Sequence, residues 1–209
     1  MSAMKFVFDF LTALVLLALL SPFMLVIAIA IKIANPRVPV FVGCDGLGKN
    51  RKFFLVWKFS TMVPNAKEVL EGILAANPVL RNEWETTFKL KNDPRILPGI
   101  GHFLRRTSLN ELPQLFNVLC GEMSLVGPRP INAREEPLYL KYSGENLLWQ
   151  RYSVRPGVTG LWQVEGRSDV SYEERVRLDH KYLSNKKFSS DLLIIFRTVS
   201  IVLWPKGAY

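Results

Sequence analysis

Cysteine is nearly absent, with Cys44 and Cys120 the only two in 209 residues. Two thiols so far apart build neither a disulfide framework nor a zinc cluster, so both are read as reduced and neither is assigned a role. Acidic residues are also short, 18 against 27 Lys and Arg, which leaves a formal charge of +9. An excess of that sign suits nucleic acid, an anionic membrane surface or a phosphorylated substrate, and charge alone does not choose among them. Internal repeats and low-complexity tracts are missing too. The length holds one domain with a membrane segment, and no second folded domain is needed.

Charge is missing altogether from Phe10 to Ile31, a run of about 22 residues that as a helix could just cross a hydrocarbon core. A cleavable signal peptide fits poorly, because the run is too long and no small-x-small site follows it. Ser21-Pro22 stands in the middle, where proline lacks an amide hydrogen and clashes with the carbonyl four residues back. One reading is a kinked spanning helix. The other is a re-entrant hairpin whose arms, Phe10 to Leu20 and Phe23 to Lys32, are each too short to cross, so that both ends return to one face. Lys5 precedes the segment, whereas Lys32, Arg37, Lys49, Arg51 and Lys52 follow it, which places the globular part in the cytoplasm.

Beyond Asn35-Pro36, Pro39 to Val42 and Phe53 to Phe59 read as two short strands around a glycine and lysine loop. Val69, Leu70, Ile73 and Leu74 recur at helical spacing, and a second, polar helix follows the break at Asn77-Pro78, forming scaffold or lid. Arg81, Glu83 and Glu85 on it read as a solvated charged face. Thr107 to Leu119 reads as a helix opening on a polar turn. Asp191 to Trp204 reads as a helix that either lies on anionic lipid beside Lys186, Lys187 and Lys206 or packs into the core.

Three segments pair rigid turns with arginine: Arg105 to Gln114, Val126-Gly127-Pro128-Arg129-Pro130, and Val154 to Arg167. Proline and glycine fix the backbone, and guanidinium offers a planar fork that matches phosphate oxygens two at a time. The three together read as a diphosphate pocket. Trp162 and Tyr172 could stack on a base or simply pack, and Asp169 and Asp179 could close the pocket.

These segments, with Ser21-Pro22, Lys58-Phe59-Ser60-Thr61-Met62 and Gly121 to Pro130, resemble the bacterial sugar transferases, the monotopic phosphoglycosyl transferases. The likeness is strongest to members that charge undecaprenyl phosphate with galactose or another hexose 1-phosphate, and it runs along nearly the whole chain. It implies an α+β, mostly helical monotopic membrane protein. Residues 1–35 would form the re-entrant hairpin, and residues 36–209 a cytoplasmic catalytic domain with interfacial helices at the bacterial inner membrane. It implies transfer from a UDP-hexose to undecaprenyl phosphate with release of UMP, using Mg²⁺, as the first step of surface polysaccharide synthesis. Membrane lipid is an expected partner, nucleic acid is not, and a homodimer is compatible with the family.

By the same resemblance Glu111 is the metal ligand and the adjacent position is the nucleophile, an aspartate in the family. Lys58, Arg105, Arg129 and Arg167 are the donor-binding candidates, although Arg105 could instead orient the catalytic pair through a salt bridge. Here the nucleophile position holds Asn110. A carboxamide is neutral and its lone pair is committed to resonance, so the covalent step should be nearly abolished. Ser60, Cys44 and Gly46 also depart from the family pattern, removing two cationic phosphate partners. The expectations are therefore a transferase or, in the alternative, a relative that binds nucleotide sugar without turnover.

Overall fold

The computed structural model describes residues 3–88, 90–166 and 170–203. They form a mixed, mostly helical fold. Helix α1 runs from Ala3 to Ala34 and is long and apolar enough to cross a membrane. It passes through Ser21-Pro22 as one helix, so the expected break does not interrupt it and the two arms are parts of a single element. The Ser21 hydroxyl donates to the Ala18 carbonyl (2.9 Å), supplying a local bond beside the proline that lacks one.

One stripe of α1 is buried: Asp9, Ala13, Met24, Ile27 and Ile31 fall on one face at helical spacing. Ala13 joins a core with Leu115, Val118 and Val126, while Ile27 and Ile31 pack on Phe59 and Leu104. The opposite face stays bare and apolar, with Leu19 70% and Ile33 78% exposed. Both ends of α1 are therefore bound to the same globular body. Near its start, Lys5 Nζ meets Asp191 Oδ2 (2.6 Å) and Asp9 Oδ2 accepts from Ser124 Oγ (2.6 Å); near its end, Lys32 Nζ donates to Val38 O (2.8 Å).

Strands β1 (Phe41–Leu47) and β2 (Phe53–Phe59) form an antiparallel ribbon. β2 falls where its residues predict. β1 begins later than Pro39 and continues through Gly43 and Gly46, and at Gly46 a Cβ would come within 2.7 Å of the Val56 side chain. Helices α2 (Ala66–Ala76) and α3 (Pro78–Thr87) meet at Asn77, whose side chain accepts from Val79 N and Leu80 N. That cap and Pro78 at the first helical position account for the break read from sequence. Arg81, Glu83 and Glu85 lie along α3; Arg81 Nε donates to Leu74 O and Glu83 Oε1 accepts from Lys91 N.

Helix α4 (Ile100–Arg106) precedes a 3₁₀ turn, Leu109–Glu111, and α5 (Gln114–Leu119) follows. The single helix expected from Thr107 is thus divided, with Ser108 left-handed at φ 59° and Pro113 capping α5. Strand β3 (Ser124–Val126) pairs in parallel with β4 (Gly157–Thr159), and α6 (Glu136–Tyr152) connects them. Helices α7 (Leu161–Glu165), α8 (Tyr172–Ser184) and α9 (Phe188–Leu203) complete the fold. On α9, Asp191 and Ile194 are buried while Phe196 and Val199 are 73% and 55% exposed, so this helix is docked by one face and leaves the other apolar and bare.

Candidate functional site

Glu111 closes the 3₁₀ turn, whose shape is fixed by Glu111 N donating to Ser108 O (3.1 Å) and Leu112 N donating to Leu109 O (3.2 Å). Leu109 and Leu112 pack against the Ile31, Phe59 and Leu104 core, which pins the turn to α1. Lys58 comes from the neighbouring strand. Because successive strand side chains alternate, burial of Phe59 in that core sends Lys58 to the other face of the ribbon. Its Nζ lies 3.6 Å from Glu111 Oε1.

Arg129 reaches the same oxygen, with Nη1 at 2.8 Å. Its approach follows from the way two arginine-bearing turns are stitched together. Gly127 N donates to Thr159 O (3.0 Å), and Gly157 N donates to Pro128 O (2.9 Å). A Cβ on Gly157 would fall 2.1 Å from Gly127 N, so these chains touch backbone to backbone and only glycine fits. The sequence-predicted convergence of the two segments is thus present, with Arg129 turned toward Glu111.

Arg105 donates from Nε to Thr61 Oγ1 (2.9 Å), so its bond goes to β2's downstream hydroxyl. Lys58, Arg105, Asn110, Glu111 and Arg129 all line one cavity of about 820 Å³. Arg167 and Asp169 lie outside the described residues. Asp179 is buried on α8 and paired with Arg151, and is not part of the cavity wall. Tyr172 is buried as well, its hydroxyl donating to Glu135 Oε1 (2.9 Å), which leaves it packing and not stacking on a base. Trp162 lines the cavity but is 5% exposed, with the Arg129 and Arg175 guanidinium carbons 6.0 and 4.7 Å from its ring.

The electrostatics are those of an anion site. Three cations face one carboxylate, and Glu111 is the only acidic residue on the described cavity wall. Burial lowers the Lys58 pKa, Arg129 lowers it further, and Glu111 opposes both. Glu111 raises the Arg129 pKa against the cost of burial. The same wall is otherwise largely apolar, and includes Leu16 and Leu20 of α1 and Ile195, Val199 and Val202 of α9. Cys44 also lines this cavity.

Residues 1–205 match the family described as bacterial sugar transferase. The chain belongs to that family. It is 48% identical over 206 residues to the UDP-galactose-lipid carrier transferase of Erwinia amylovora, covering 99% of this chain and 42% of that protein. It is 45% identical over 206 residues to the undecaprenyl-phosphate galactose phosphotransferase of Salmonella typhimurium, again covering 99% of this chain and 42% of the relative. The exopolysaccharide production protein ExoY of Rhizobium meliloti is 44% identical over 202 residues, covering 97% of this chain and 86% of that protein. The chain thus spans about two fifths of the length of the first two relatives and most of the third.

Within this bacterial sugar transferase, Asn117 is a structural residue of the site that sequence reasoning passed over. It is 1% exposed on α5; its Oδ1 accepts from Trp57 N (3.0 Å), and its Nδ2 donates to Leu55 O (2.7 Å) and Glu122 Oε2 (2.7 Å). It therefore fixes the ribbon that carries Lys58 to the helix behind Glu111. Its signal in the sequence is a lone carboxamide at a buried position of a leucine-rich helix, which needs partners wherever it is buried.

Proposed function

We propose that this chain binds a UDP-hexose in the Glu111–Arg129 cavity and passes its hexose 1-phosphate to undecaprenyl phosphate, releasing UMP, at the start of surface polysaccharide synthesis. The observation that carries this reading is one cavity whose wall holds three cations beside Glu111 together with apolar side chains of α1 and α9. A soluble diphosphate and a phosphate on a hydrocarbon chain need those two surfaces side by side. The printed names of the relatives from Erwinia and Salmonella, a galactose-lipid carrier transferase and an undecaprenyl-phosphate phosphotransferase, support it.

Arg129 and Arg105 present donor forks to the diphosphate, and Lys58 adds a point charge. They gather two anions that repel in water and neutralise the charge on the phosphoryl group in transit. With asparagine at 110, the reaction that balances is direct displacement. An oxygen of the acceptor phosphate bonds to the sugar-bearing phosphorus, the bond from that phosphorus to the bridging oxygen breaks, and UMP leaves with that oxygen. Asn110 then serves as a neutral hydrogen-bonding group.

The donor set fits Mg²⁺ in its chemistry: the Glu111 carboxylate with the oxygens of Asn110 and Ser108 on the same wall are hard ligands. Among the described residues no group of three or more His, Cys, Asp or Glu converges, so substrate phosphate oxygens would complete the shell. When bound, the ion would offset diphosphate charge.

The chain sits at the cytoplasmic face of the inner membrane as a monotopic protein, with α1 lying against one leaflet by its bare apolar face and both of its ends on the same side. Support comes from the attachment of both ends of α1 to one globular body and from the bare apolar faces of α1 and α9. A second reading, donor binding without turnover, is favoured by Asn110 itself. UMP release from UDP-galactose or UDP-glucose, with and without undecaprenyl phosphate, decides between them.

A further inference from the structure

Arg129 pairs more closely with Glu111 than Lys58 does, and its own backbone is unusually constrained in composition. It lies between Pro128 and Pro130, which have no amide hydrogens, so the carbonyls of this tripeptide are the main handles by which the fold can hold it. One of those, Pro128 O, is taken by Gly157 N. The Arg129 carbonyl is taken by Nη2 of Arg151, on α6.

Arg151 does not line the cavity. It is 4% exposed, and its Nη1 donates to Asp179 Oδ2 (2.5 Å) on α8. The Tyr139 ring lies 4.5 Å from its guanidinium carbon, and the Tyr139 hydroxyl also donates to Asp179 Oδ2 (3.2 Å). A salt bridge that only tied α6 to α8 would need the Nη1 contact alone. The second nitrogen goes instead to the backbone of Arg129, whose side chain pairs with the site carboxylate at 2.8 Å.

We propose that Arg151 is a positioning residue: its fork, anchored on Asp179, fixes the Arg129 backbone and thereby sets the affinity of the cavity for a nucleoside diphosphate. The proposal rests on the reading of Arg129 as a diphosphate ligand. Only arginine can do this, because a planar guanidinium reaches two acceptors in fixed directions whereas an ammonium is a single point of charge.

The test is Arg151→Lys, which keeps a cation beside Asp179 and removes the fork. UDP binding is measured by titration calorimetry to millimolar ligand on the full chain in lipid nanodiscs, in the wild-type and Arg129→Ala backgrounds. In the wild-type background Arg151→Lys weakens UDP binding about tenfold, the scale of one charge-assisted hydrogen bond. In the Arg129→Ala background it changes binding by less than about twofold, as expected when one residue acts through the other. Wild-type affinity in Arg151→Lys overturns the proposal, and so does an equal loss in both backgrounds, which is what general loosening of the fold produces. If Arg151→Lys does not fold, the neutral pair Arg151→Met with Asp179→Asn removes both charges together and carries the same expectation. An Arg129→Ala form that binds UDP as the wild type does would instead refute the diphosphate role of Arg129.

Discussion

Replacing Glu111 by glutamine separates the charge of the site from its shape. In the wild type, Oε1 lies 2.8 Å from Arg129 Nη1 and 3.6 Å from Lys58 Nζ. At an effective dielectric near 20, unit charges at the longer distance interact by about 4–5 kcal/mol before screening. The Lys58 side chain is 20% exposed, and solvent on that side leaves roughly 1–2 kcal/mol. Burial and Arg129 already depress the Lys58 pKa, and Glu111 is the group that supports it. Glutamine removes the support, so the pKa falls further. A lysine is charged below its pKa and loses that charge as pH rises through it, so the contribution of Lys58 to phosphate binding disappears at lower pH in the variant. At neutral pH the effect has the opposite sign, because the diphosphate no longer faces a carboxylate. UDP titrations in metal-free buffer from neutral pH to about pH 10 should therefore show Glu111→Gln starting tighter and declining with its midpoint at lower pH than the wild type. An unchanged midpoint together with weaker binding at neutral pH would refute the electrostatic reasoning.

Three further outcomes follow from the packing. Asn117→Ala strands the Trp57 amide and the Leu55 carbonyl, a loss of about 2–4 kcal/mol that should lower the thermal midpoint by roughly 5–15 °C. Differential scanning fluorimetry in detergent would read it, and a shift under about 2 °C would contradict the role given to this side chain. Gly157→Ala drives a methyl into the Gly127 backbone and should prevent accumulation of folded protein, whereas Gly72→Ala, with open space around it, should not. Leu19→Glu puts a charge on the bare face of α1, at a cost of about 2.5–3.5 kcal/mol in lipid, and should weaken flotation with liposomes while leaving near-ultraviolet circular dichroism unchanged.

Legibility differed from element to element. Asn77-Pro78 announced a helix start because cap and proline act locally, and the Asn77 side chain does bond the amides of Val79 and Leu80. The approach of the Arg105–Gln114 and Arg129 turns was legible in their own residues, in which rigid turns and cations recur together, whereas Lys58 was expected there only through the family resemblance. Ser21-Pro22 left a kinked helix and a re-entrant hairpin open, because a proline permits either; α1 runs through it as one helix, held along one stripe by Leu115, Val118, Phe59 and Leu104. The 3₁₀ turn at Leu109–Glu111 was hidden, since leucine spacing there reflects packing on α1 and β2 and not a continuous helix. Arg151 and Asp179 gave no local sign of their pairing, because α6 and α8 meet only through the tertiary fold.

The central claim is that this cavity supports sugar-phosphate transfer to a lipid phosphate. The measurement that tests it most directly is UMP release by the chain and by its Asn110→Asp form, side by side, with UDP-galactose or UDP-glucose, Mg²⁺ and undecaprenyl phosphate. The account predicts release that requires the lipid phosphate, is lost in Arg129→Ala, and rises at least about a hundredfold in Asn110→Asp, some 2.7 kcal/mol of barrier. Folded protein that binds UDP yet yields no UMP in either form, with either donor, would contradict it.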